Sequence, residues 1–441
     1  MTLSIALQFI VVLAAIWMGA RYSGVGLGLW GAVGLLVLIV AFGVTPTSPP
    51  IDVMLIILAV IMAASVMDAA GGIDFLVRIA ERVIRANPKY VTIVAPLTTW
   101  SFSFVAGTGH IVYPLLPVIY ETAHQSGIRP ERPMAVATIA SQQAITASPV
   151  AAATAAMIGL FAEKGITEWG LPQILMICVP ATLTGVVAAA IVSMFIGKDL
   201  KDDPEYQARL KAGEIPAPKV AGESGPLKPA AKLSAYLFLV GVALVVVFGF
   251  FPELRKLPGA KGPLAMPIVI EVVMLAVAAI MLMVTKVNVD EVPKTATLRA
   301  GVVAVIGIFG LAWLGDSFIA AHKDVIVPAI GHWAEAAPWT FAFGLFFASV
   351  LLYSQAATTR ALMPLGIALG IPPQFLIAMF PSVNGYFFIP TYGSLIAAIN
   401  FDLSGTTKIG KYVLNHSFMI PGLVATIVAV TTGLLLARVI F

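Results

Sequence analysis

Two apolar stretches of the chain are interrupted at their centres by polar residues and prolines. Residues 134–160 read MAVATIASQQAITASPVAAATAAMIGL, and residues 374–400 read QFLIAMFPSVNGYFFIPTYGSLIAAIN. Each stretch is long enough to cross a membrane as a helix. Proline, however, lacks a backbone donor and disfavours helical geometry at the residue before it. We therefore expect both helices to unwind midway, near Pro149 in the first stretch and between Pro381 and Pro390 in the second.

The whole chain has the composition of a membrane protein. Of its 441 residues, 59% are hydrophobic and 11% are charged, against roughly a quarter charged in ordinary globular chains. Apolar runs of about 17–25 residues recur from end to end, enough for about ten transmembrane helices. Besides the interrupted stretches, the predicted spans are 3–20, 24–44, 51–70, 171–196, 233–251, 264–285, 299–319 and 412–440. This pattern excludes a soluble multidomain protein.

Two further apolar regions predict re-entrant hairpins, in which the chain turns back inside the membrane. They cover 91–124 and 339–371, and each has a polar tip. The first tip is Gly107-Thr108-Gly109-His110, and the second runs from Ser354 to Arg360. Non-helical backbone survives at membrane depth only when it is buried in protein or lines a wet cavity. Both tips are therefore candidates for a functional site.

A polar segment divides the chain into halves with the same order of elements. Residues 199–232 are rich in proline and charge and predict a solvated cytoplasmic linker. The first half (1–198) and the second (233–441) each contain scaffold spans (3–70 and 233–319), one hairpin and one interrupted helix. Each half crosses the membrane an odd number of times, so the second is upside down relative to the first. The predicted fold class is an all-α polytopic membrane protein with two inverted repeats, an arrangement found in many transporters.

The positions of Lys and Arg predict the orientation in the membrane. If the N-terminus is external, the inner loops hold most of the basic residues, including Arg21, Arg129, Lys201 and Arg299. Basic residues concentrate in cytoplasmic loops, so both termini are predicted to be periplasmic. The net charge of +4 thus reflects orientation rather than nucleic-acid binding. The two hairpins then enter from opposite sides, and their tips can meet near the midplane.

The tips and interruptions together predict a site for an anionic solute. A broken helix exposes an N-terminus with free N–H donors and a partial charge of about +0.5. Four such ends could hold a dianion. The candidate binding residues are Gly107, Thr108, Gly109, His110, Thr146, Ser148, Pro149, Ser354, Gln355, Thr358, Arg360, Asn384 and Thr391. Alternatively, the Ser, Thr and Pro residues only bond to the preceding turn or to a neighbouring helix.

The charged and titratable candidates leave several roles open. Arg360 lies in an apolar region, where a charge costs at least ~2.5 kcal/mol. Its partner could be a substrate carboxylate, a protein acid such as Asp316, or headgroup water reached by snorkelling. His110 could bond a substrate, change protonation during a cycle, or cap a helix. No nucleophile elbow, metal-binding His pair or nucleotide loop occurs in the sequence, so we predict no enzymatic activity and no cofactor or metal, and a coupling proton or sodium ion stays open.

Several short runs resemble the Dcu (DcuA/DcuB) family of anaerobic C4-dicarboxylate transporters. They include Ala106-Gly-Thr-Gly-His110, Arg129-Pro-Glu-Arg-Pro133, Thr146-Ala-Ser-Pro149, Ala312-Trp-Leu-Gly-Asp316, Tyr353-Ser-Gln-Ala-Ala-Thr358 and Asp402-Leu-Ser-Gly-Thr-Thr-Lys-Ile-Gly410. The resemblance implies antiport or ion-coupled uptake of fumarate, L-aspartate, malate and succinate across the bacterial inner membrane in anaerobic metabolism. It also implies the ion-transporter superfamily architecture of a scaffold and a transport domain in contact with membrane lipid, often in a homodimer.

Two other functions stay open from the sequence. The first is a sodium/proton or other anion antiporter of the same architecture, which would need an Asp or Glu at the midplane. The second is a membrane sensor or assembly partner that contacts a sensor kinase through the linker or the loops.

Overall fold

The prediction of an all-α protein is confirmed. The computed structural model describes residues 3–22, 24–215, 226–260, 262–352, 354–390, 392–410 and 414–441. Within these ranges the backbone is helical, and its β-structure is limited to two isolated bridges. The helices of the N-terminal part are α1 (Leu3–Tyr22), α2 (Gly26–Phe42), α3 (Ile51–Ala69), α4 (Gly72–Ala86), α5 (Val91–Ala106), α6 (Leu116–Gln125), α7 (Glu131–Gln143), α8 (Ala152–Glu163) and α9 (Leu171–Ser193).

The remaining helices begin in the polar segment and continue to the C-terminus. They are α10 (Pro204–Lys211), α11 (Ala231–Phe250), α12 (Met266–Thr285), α13 (Ala296–Gly307), α14 (Trp313–Ala336), α15 (Phe341–Leu352), α16 (Gln355–Ala368), α17 (Pro373–Met379), α18 (Gly393–Phe401) and α19 (Met419–Ile440). Helix α19 packs on α9, α5 on α7, α3 on α12 and α1 on α2. Long-range packing therefore joins the N-terminal and C-terminal parts of the chain.

Six helical segments in the described residues are long and apolar enough to cross a membrane: α3, α9, α11, α12, α19 and Ala296–His322. Shorter apolar helices cover Leu3–Gly19, Gly26–Phe42, Ala152–Glu163 and Pro338–Leu352. This composition fits a multi-pass membrane protein, whereas the count of about ten spans and the inverted repeat stay predictions. Helices shorter than a bilayer need neighbours to shield their ends.

Two boundaries and one helix differ from the sequence predictions. The span predicted over 299–319 continues to Ala336, because a π-helical turn at Ile308–Ala312 and a kink at His322 bend the helix without ending it. The last span begins at Met419 rather than near residue 412, because a loop closed by a bridge between Ile409 and His416 precedes it. Helix α4 was not predicted as an element, since its charged residues distinguish it from a membrane span.

Both interrupted stretches are divided into separate helices. Helix α7 gives way to a 3-10 turn at Ala144–Thr146, and α8 begins only at Ala152 after an extended Ala151. In the second stretch, α17 is followed by a 3-10 segment with non-helical geometry at Asn384. Gly385 belongs to this segment, and a Cβ there would lie 2.5 Å from the Phe346 carbonyl oxygen. Only glycine permits this close approach of the segment to α15.

Each hairpin turns at a short non-helical tip. Helices α5 and α6 are joined by Gly107, at φ 69°, and a 3-10 segment at Gly109–Leu115. A Cβ on Gly107 would lie 2.8 Å from the Val150 carbonyl oxygen, so this tip rests against the first interruption. Ser354, in extended geometry, precedes α16 at the second tip.

The polar segment is partly docked rather than wholly solvated as predicted. Arg129, before α7, forms ion pairs with Asp203 and Glu131. Tyr206 of α10 is hydrogen-bonded to His124 Nε2 over 2.8 Å, and Arg209 donates to the Ser404 carbonyl over 2.7 Å. These contacts hold α10 against loops from both parts of the chain.

Candidate functional site

The two hairpin tips and the first interruption line a common space, which we name the tip cavity. Its volume is about 150 Å³. The first tip contributes Gly107 through His110, the second contributes Ser354 and Gln355, and α7 contributes Gln142. Tyr392 and residues of α3 and α13 complete the walls. Elements that are far apart in sequence therefore present polar groups to one small volume.

A larger space of about 680 Å³, here called the Arg299 cavity, adjoins the tip cavity. The two share His110, Ser354, Gln355, Tyr392 and two alanines of α13 as lining residues. Arg299, in the first turn of α13, lines only the larger one. The tip cavity therefore communicates with a wider volume that carries a cationic side chain.

A chain of amide side chains connects the second tip to both interruptions. Gln355 Nε2 donates to Gln142 Oε1 over 2.9 Å and to Asn384 Oδ1 over 3.1 Å. Asn384 Nδ2 donates to Gln143 Oε1 over 3.2 Å, and Gln143 Nε2 donates to Thr426 Oγ1 over 3.0 Å. Gln142, Gln143 and Asn384 are buried. Because unpaired buried amides are costly, this chain fixes the relative positions of the tip and the interruptions.

Short side chains and glycine shape the tips themselves. The Ser354 hydroxyl accepts from the Ala357 N–H over 3.2 Å, which caps α16 and leaves the helix N-terminus directed to the cavity. The Thr108 hydroxyl accepts from the His110 N–H over 3.3 Å. A Cβ on Gly109 would lie 2.3 Å from Gln142 Nε2. The first tip thus packs directly on the amide chain.

Other predicted binding residues lie behind the cavity walls. Thr146 and Thr358 are buried and donate to the carbonyl oxygens of Gln143 and Ser354, over 3.0 and 2.8 Å. The Ser148 hydroxyl accepts from the Val150 N–H over 3.3 Å. None of these three lines the tip or Arg299 cavity, nor does Pro149. These contacts match the alternative of bonding within the helix, and a substrate-binding role for these residues stays a prediction. Thr391 lies outside the described residues.

Arg360 is engaged by protein acids. Its side chain is 1% exposed, Nη1 donates to Glu163 Oε2 over 2.9 Å, and Nη2 donates to Asp316 Oδ2 over 3.2 Å. Of the three partners considered from the sequence, a protein acid is the one observed, and Glu163 joins Asp316 in that role. The Nε of Arg360 is buried without a hydrogen-bond partner, so a substrate carboxylate could form a two-point contact with this guanidinium only by displacing one of the two acids.

Glu163 and Asp316 also line a third space, of about 760 Å³, which we name the acidic cavity. Asp52 adds a third carboxylate to its walls, and Lys164 is the basic residue among the described lining residues. By contrast, no described residue that lines the tip or Arg299 cavity is acidic, and Arg299, His110 and Tyr392 are their titratable groups. The two sides of the molecule therefore differ in the sign of their charge.

Several helices run from one side to the other. Helix α16 places Gln355 in the tip cavity and Pro364 in the acidic cavity, with Arg360 between them. Helix α8 likewise extends from Ala152 at the tip cavity to Glu163. The acidic cavity shares no described lining residue with the other two. The Arg360 cluster thus lies in the protein layer that separates them.

Four residues of these sites were not assigned by sequence reasoning: Gln142, Tyr392, Arg299 and Glu163. Gln142 lies at the centre of an interrupted helix, and that position was an available signal. Arg299 was read only as an orientation signal at the start of a span. Tyr392 and Glu163 carried no distinguishing local pattern, since both reach their sites through tertiary packing.

Comparison with known proteins identifies whole-chain relatives. The family model described as an anaerobic C4-dicarboxylate membrane transporter, DcuA_DcuB, matches residues 4–441. The C4-dicarboxylate transporter DcuA of Escherichia coli strain K12 is 42% identical over 434 residues, covering 98% of this chain and 99% of that protein. DcuA of Wolinella succinogenes is 41% identical over 439 residues, with 98% and 99% covered. The anaerobic C4-dicarboxylate transporter DcuB of Escherichia coli O6:H1 is 39% identical over 438 residues, with 98% of each chain covered.

A solved structure shares the fold at low sequence identity. The crystal structure of the Alcanivorax borkumensis YdaH transporter, described as having an unusual topology, superposes with a TM-score of 0.51. The match covers 99% of this chain and 98% of that chain at 14% identity. At this identity the likeness concerns the fold alone.

Proposed function

The chain belongs to the DcuA/DcuB family of anaerobic C4-dicarboxylate membrane transporters, and we propose that it carries its substrate in the tip cavity. The family resemblance predicted from the sequence motifs is therefore confirmed. So is the prediction that the chain is not an enzyme, because the family and its curated relatives are membrane transporters. As substrates we propose fumarate, L-aspartate, malate and succinate.

The main support for the proposed site is that both hairpin tips contact the amide chain. Gln355 of the second tip is bonded to Gln142, against which Gly109 of the first tip packs. The tip cavity offers amide, hydroxyl and helix N-terminal donors without an acidic residue in its described walls. Such a set of donors suits a carboxylate.

We propose alternating access between the Arg299 cavity and the acidic cavity. In the conformation described, the tip cavity adjoins the Arg299 cavity, while the Arg360 cluster lies between the tips and the acidic cavity. Movement of the hairpins and interrupted helices against α3, α13 and α14 would separate Arg360 from Asp316 and open the other side. Antiport follows if this movement is slow without substrate.

With both termini periplasmic in the bacterial inner membrane, the Arg299 cavity opens to the cytoplasm. This orientation follows from the distribution of Lys and Arg, and it places Arg299 on the inner side. We also propose a homodimer and contact with a sensor kinase through the polar segment. They rest on the family resemblance and on the position of that segment alone.

The proposed function is tested by counterflow in proteoliposomes. Vesicles loaded with unlabelled fumarate should accumulate labelled fumarate, aspartate or succinate, and empty vesicles should not. A wild-type protein that exchanges none of these solutes would overturn the proposal. The variant Gln142→Leu, which removes the cavity-facing amide that bonds Gln355, should reduce exchange.

The Arg360 cluster favours a second candidate function, cation antiport. Asp316 is the intramembrane acid that a sodium/proton antiporter of this architecture would need, and its Oδ1 is buried without a hydrogen-bond partner. Sodium or proton flux in vesicles that contain no dicarboxylate distinguishes the two. Flux that is lost in Asp316→Asn and is unaffected by fumarate would favour the antiporter.

A further inference from the structure

We infer that Arg299, rather than Arg360, is the cation that binds one carboxylate of the transported dianion. This inference rests on the proposed function and adds a specificity-determining residue to it. An arginine fork binds carboxylates through two parallel hydrogen bonds. The chain offers two arginines close to the tips, and the structure distinguishes them by what their guanidinium groups already bind.

Arg360 has both terminal nitrogens in use. They donate to Glu163 and Asp316, and the side chain is 1% exposed. Two carboxylates beside one guanidinium leave a net negative charge at this position. A dianion approaching Arg360 would therefore meet repulsion as well as competition for the donors.

Arg299 is in the opposite situation. Its side chain is exposed and lines the Arg299 cavity, and within the described part of the chain its guanidinium forms no hydrogen bond or ion pair. None of the described residues lining this cavity is acidic. Its five N–H donors are therefore available to a ligand.

The backbone that bears Arg299 is held in place at the start of α13. The Thr295 hydroxyl accepts from the Leu298 N–H over 3.2 Å, which caps the helix, and the Thr297 hydroxyl donates to Asp68 Oδ2 of α3 over 2.8 Å. The next residues, Ala300 and Gly301, line the tip cavity. Arg299 thus stands at the junction of the two cavities on an anchored helical turn.

The opposite wall supplies donors for the second carboxylate. His110, Ser354 and Gln355 line both the tip and Arg299 cavities. A dicarboxylate can therefore place one end at the tips while the other pairs with Arg299. This arrangement predicts selection for solutes with two negative ends, because a neutral end would leave the guanidinium without its partner.

The test compares Arg299→Gln and Arg299→Lys with wild type, using fumarate and its monoamide in counterflow. We expect Arg299→Gln to raise the half-saturating concentration of fumarate about tenfold or more and to change that of the monoamide much less. Arg299→Lys should recover part of the loss, because the positive charge returns without the fork. Arg82→Gln is the control, since Arg82 is an exposed arginine that lines none of the three cavities.

Three outcomes separate this inference from the proposed function. If wild-type protein exchanges fumarate and Arg299→Gln does so with unchanged half-saturation, the role of Arg299 is refuted while the proposed function stands. Equal losses for fumarate and the monoamide would likewise refute it, because they indicate a structural effect. If wild-type protein exchanges no dicarboxylate, the proposed function itself fails.

Discussion

Two arginines near the tips, Arg360 and Arg299, have different surroundings and therefore different roles. Arg360 is buried and neutralised by Glu163 and Asp316, whereas Arg299 is exposed in a cavity without acidic neighbours among its described lining residues. A buried charge requires protein partners, while an accessible one can exchange water for a ligand. Burial and partners, rather than residue type, therefore indicate which arginine binds substrate.

The largest expected effect comes from breaking the buried cluster. Arg360→Met leaves two carboxylates without their cation, and removal of one partner from a fully buried ion pair costs about 3–5 kcal/mol. Because Glu163 and Asp316 are 26% and 12% exposed, the cost should lie near the lower end of that range. We expect a corresponding loss of stability in thermal unfolding of the detergent-solubilised protein. Adding Asp316→Asn should recover part of it, because one uncompensated charge is removed.

Lys164→Met is the control for the buried cluster. Lys164 lines the acidic cavity and is exposed, so its change in stability should stay within about 0.5 kcal/mol. Equal stability of Arg360→Met and wild type would contradict the structural role of Arg360.

The next effect concerns the amide chain on the other side of the molecule. Asn384→Ala removes a donor to Gln143 and an acceptor for Gln355, and a buried amide left without a partner costs about 1–3 kcal/mol. Both stability and fumarate exchange should fall. Asn87→Ala, which removes only an exposed hydrogen bond to the Val83 carbonyl, should change neither measurement. Retained fumarate exchange in Asn384→Ala would show that the chain of amide side chains is not part of the transport site.

A smaller change tests the contact between the first tip and the amide chain. Gly109→Ala adds a methyl group at a point 2.3 Å from Gln142 Nε2, so the tip must shift. Because small displacements at a binding site strongly affect function, the half-saturating fumarate concentration should rise about tenfold. Gly344→Ala adds a methyl group in α15 with no heavy atom within 4 Å and should leave it unchanged. Similar behaviour of both variants would count against the packing described.

The smallest effect is expected at α10, which lines none of the three cavities. Burial raises the pKa of Asp203, but the hydrogen bond and charge of Arg129, with the Tyr206 and Glu205 N–H groups, outweigh it and leave that pKa below its usual 3.8. A lowered pKa in the folded state means that the stabilisation is complete above pH 3.8 and is lost as pH falls through the lowered value.

Limited proteolysis of the polar segment measures this docking. Cleavage in wild type should increase only at acidic pH, whereas Asp203→Asn should be cleaved somewhat faster already at neutral pH, because the ion pair with Arg129 is lost. Identical cleavage of both proteins at all pH values would show that the ion pair does not hold α10.

The sequence predicted those features that depend on local chemistry. Prolines and polar residues in 134–160 and 374–400 predicted where helices stop, and apolar runs predicted the helical class. The polar tips, from Gly107 and from Ser354, were also visible because few polar residues occur in apolar surroundings. At both tips, the residues singled out include those that line the cavity.

The remaining features depend on which segments pack together. Glu163 pairs with Arg360 because the end of α8 lies beside α14 and α16, and no local sequence pattern encodes that contact. Gln142 and Asn384 both bond to Gln355 because the two interruptions face one another across the second tip. Arg299 was visible in the sequence only as a basic residue beside a span, because its role depends on the absence of acids in a cavity formed by distant helices.

The most direct test of the substrate site is protection of introduced cysteines by fumarate. The native Cys178 is buried, so single cysteines can be placed at Ala300, which lines the tip and Arg299 cavities, and at Ala320, which lines the acidic cavity. The rate of modification by a hydrophilic thiol reagent is then measured with and without fumarate. We predict that fumarate slows modification at position 300, at concentrations that half-saturate counterflow, and leaves position 320 unprotected. Protection at position 320 alone, or at neither position, would contradict binding between the tips.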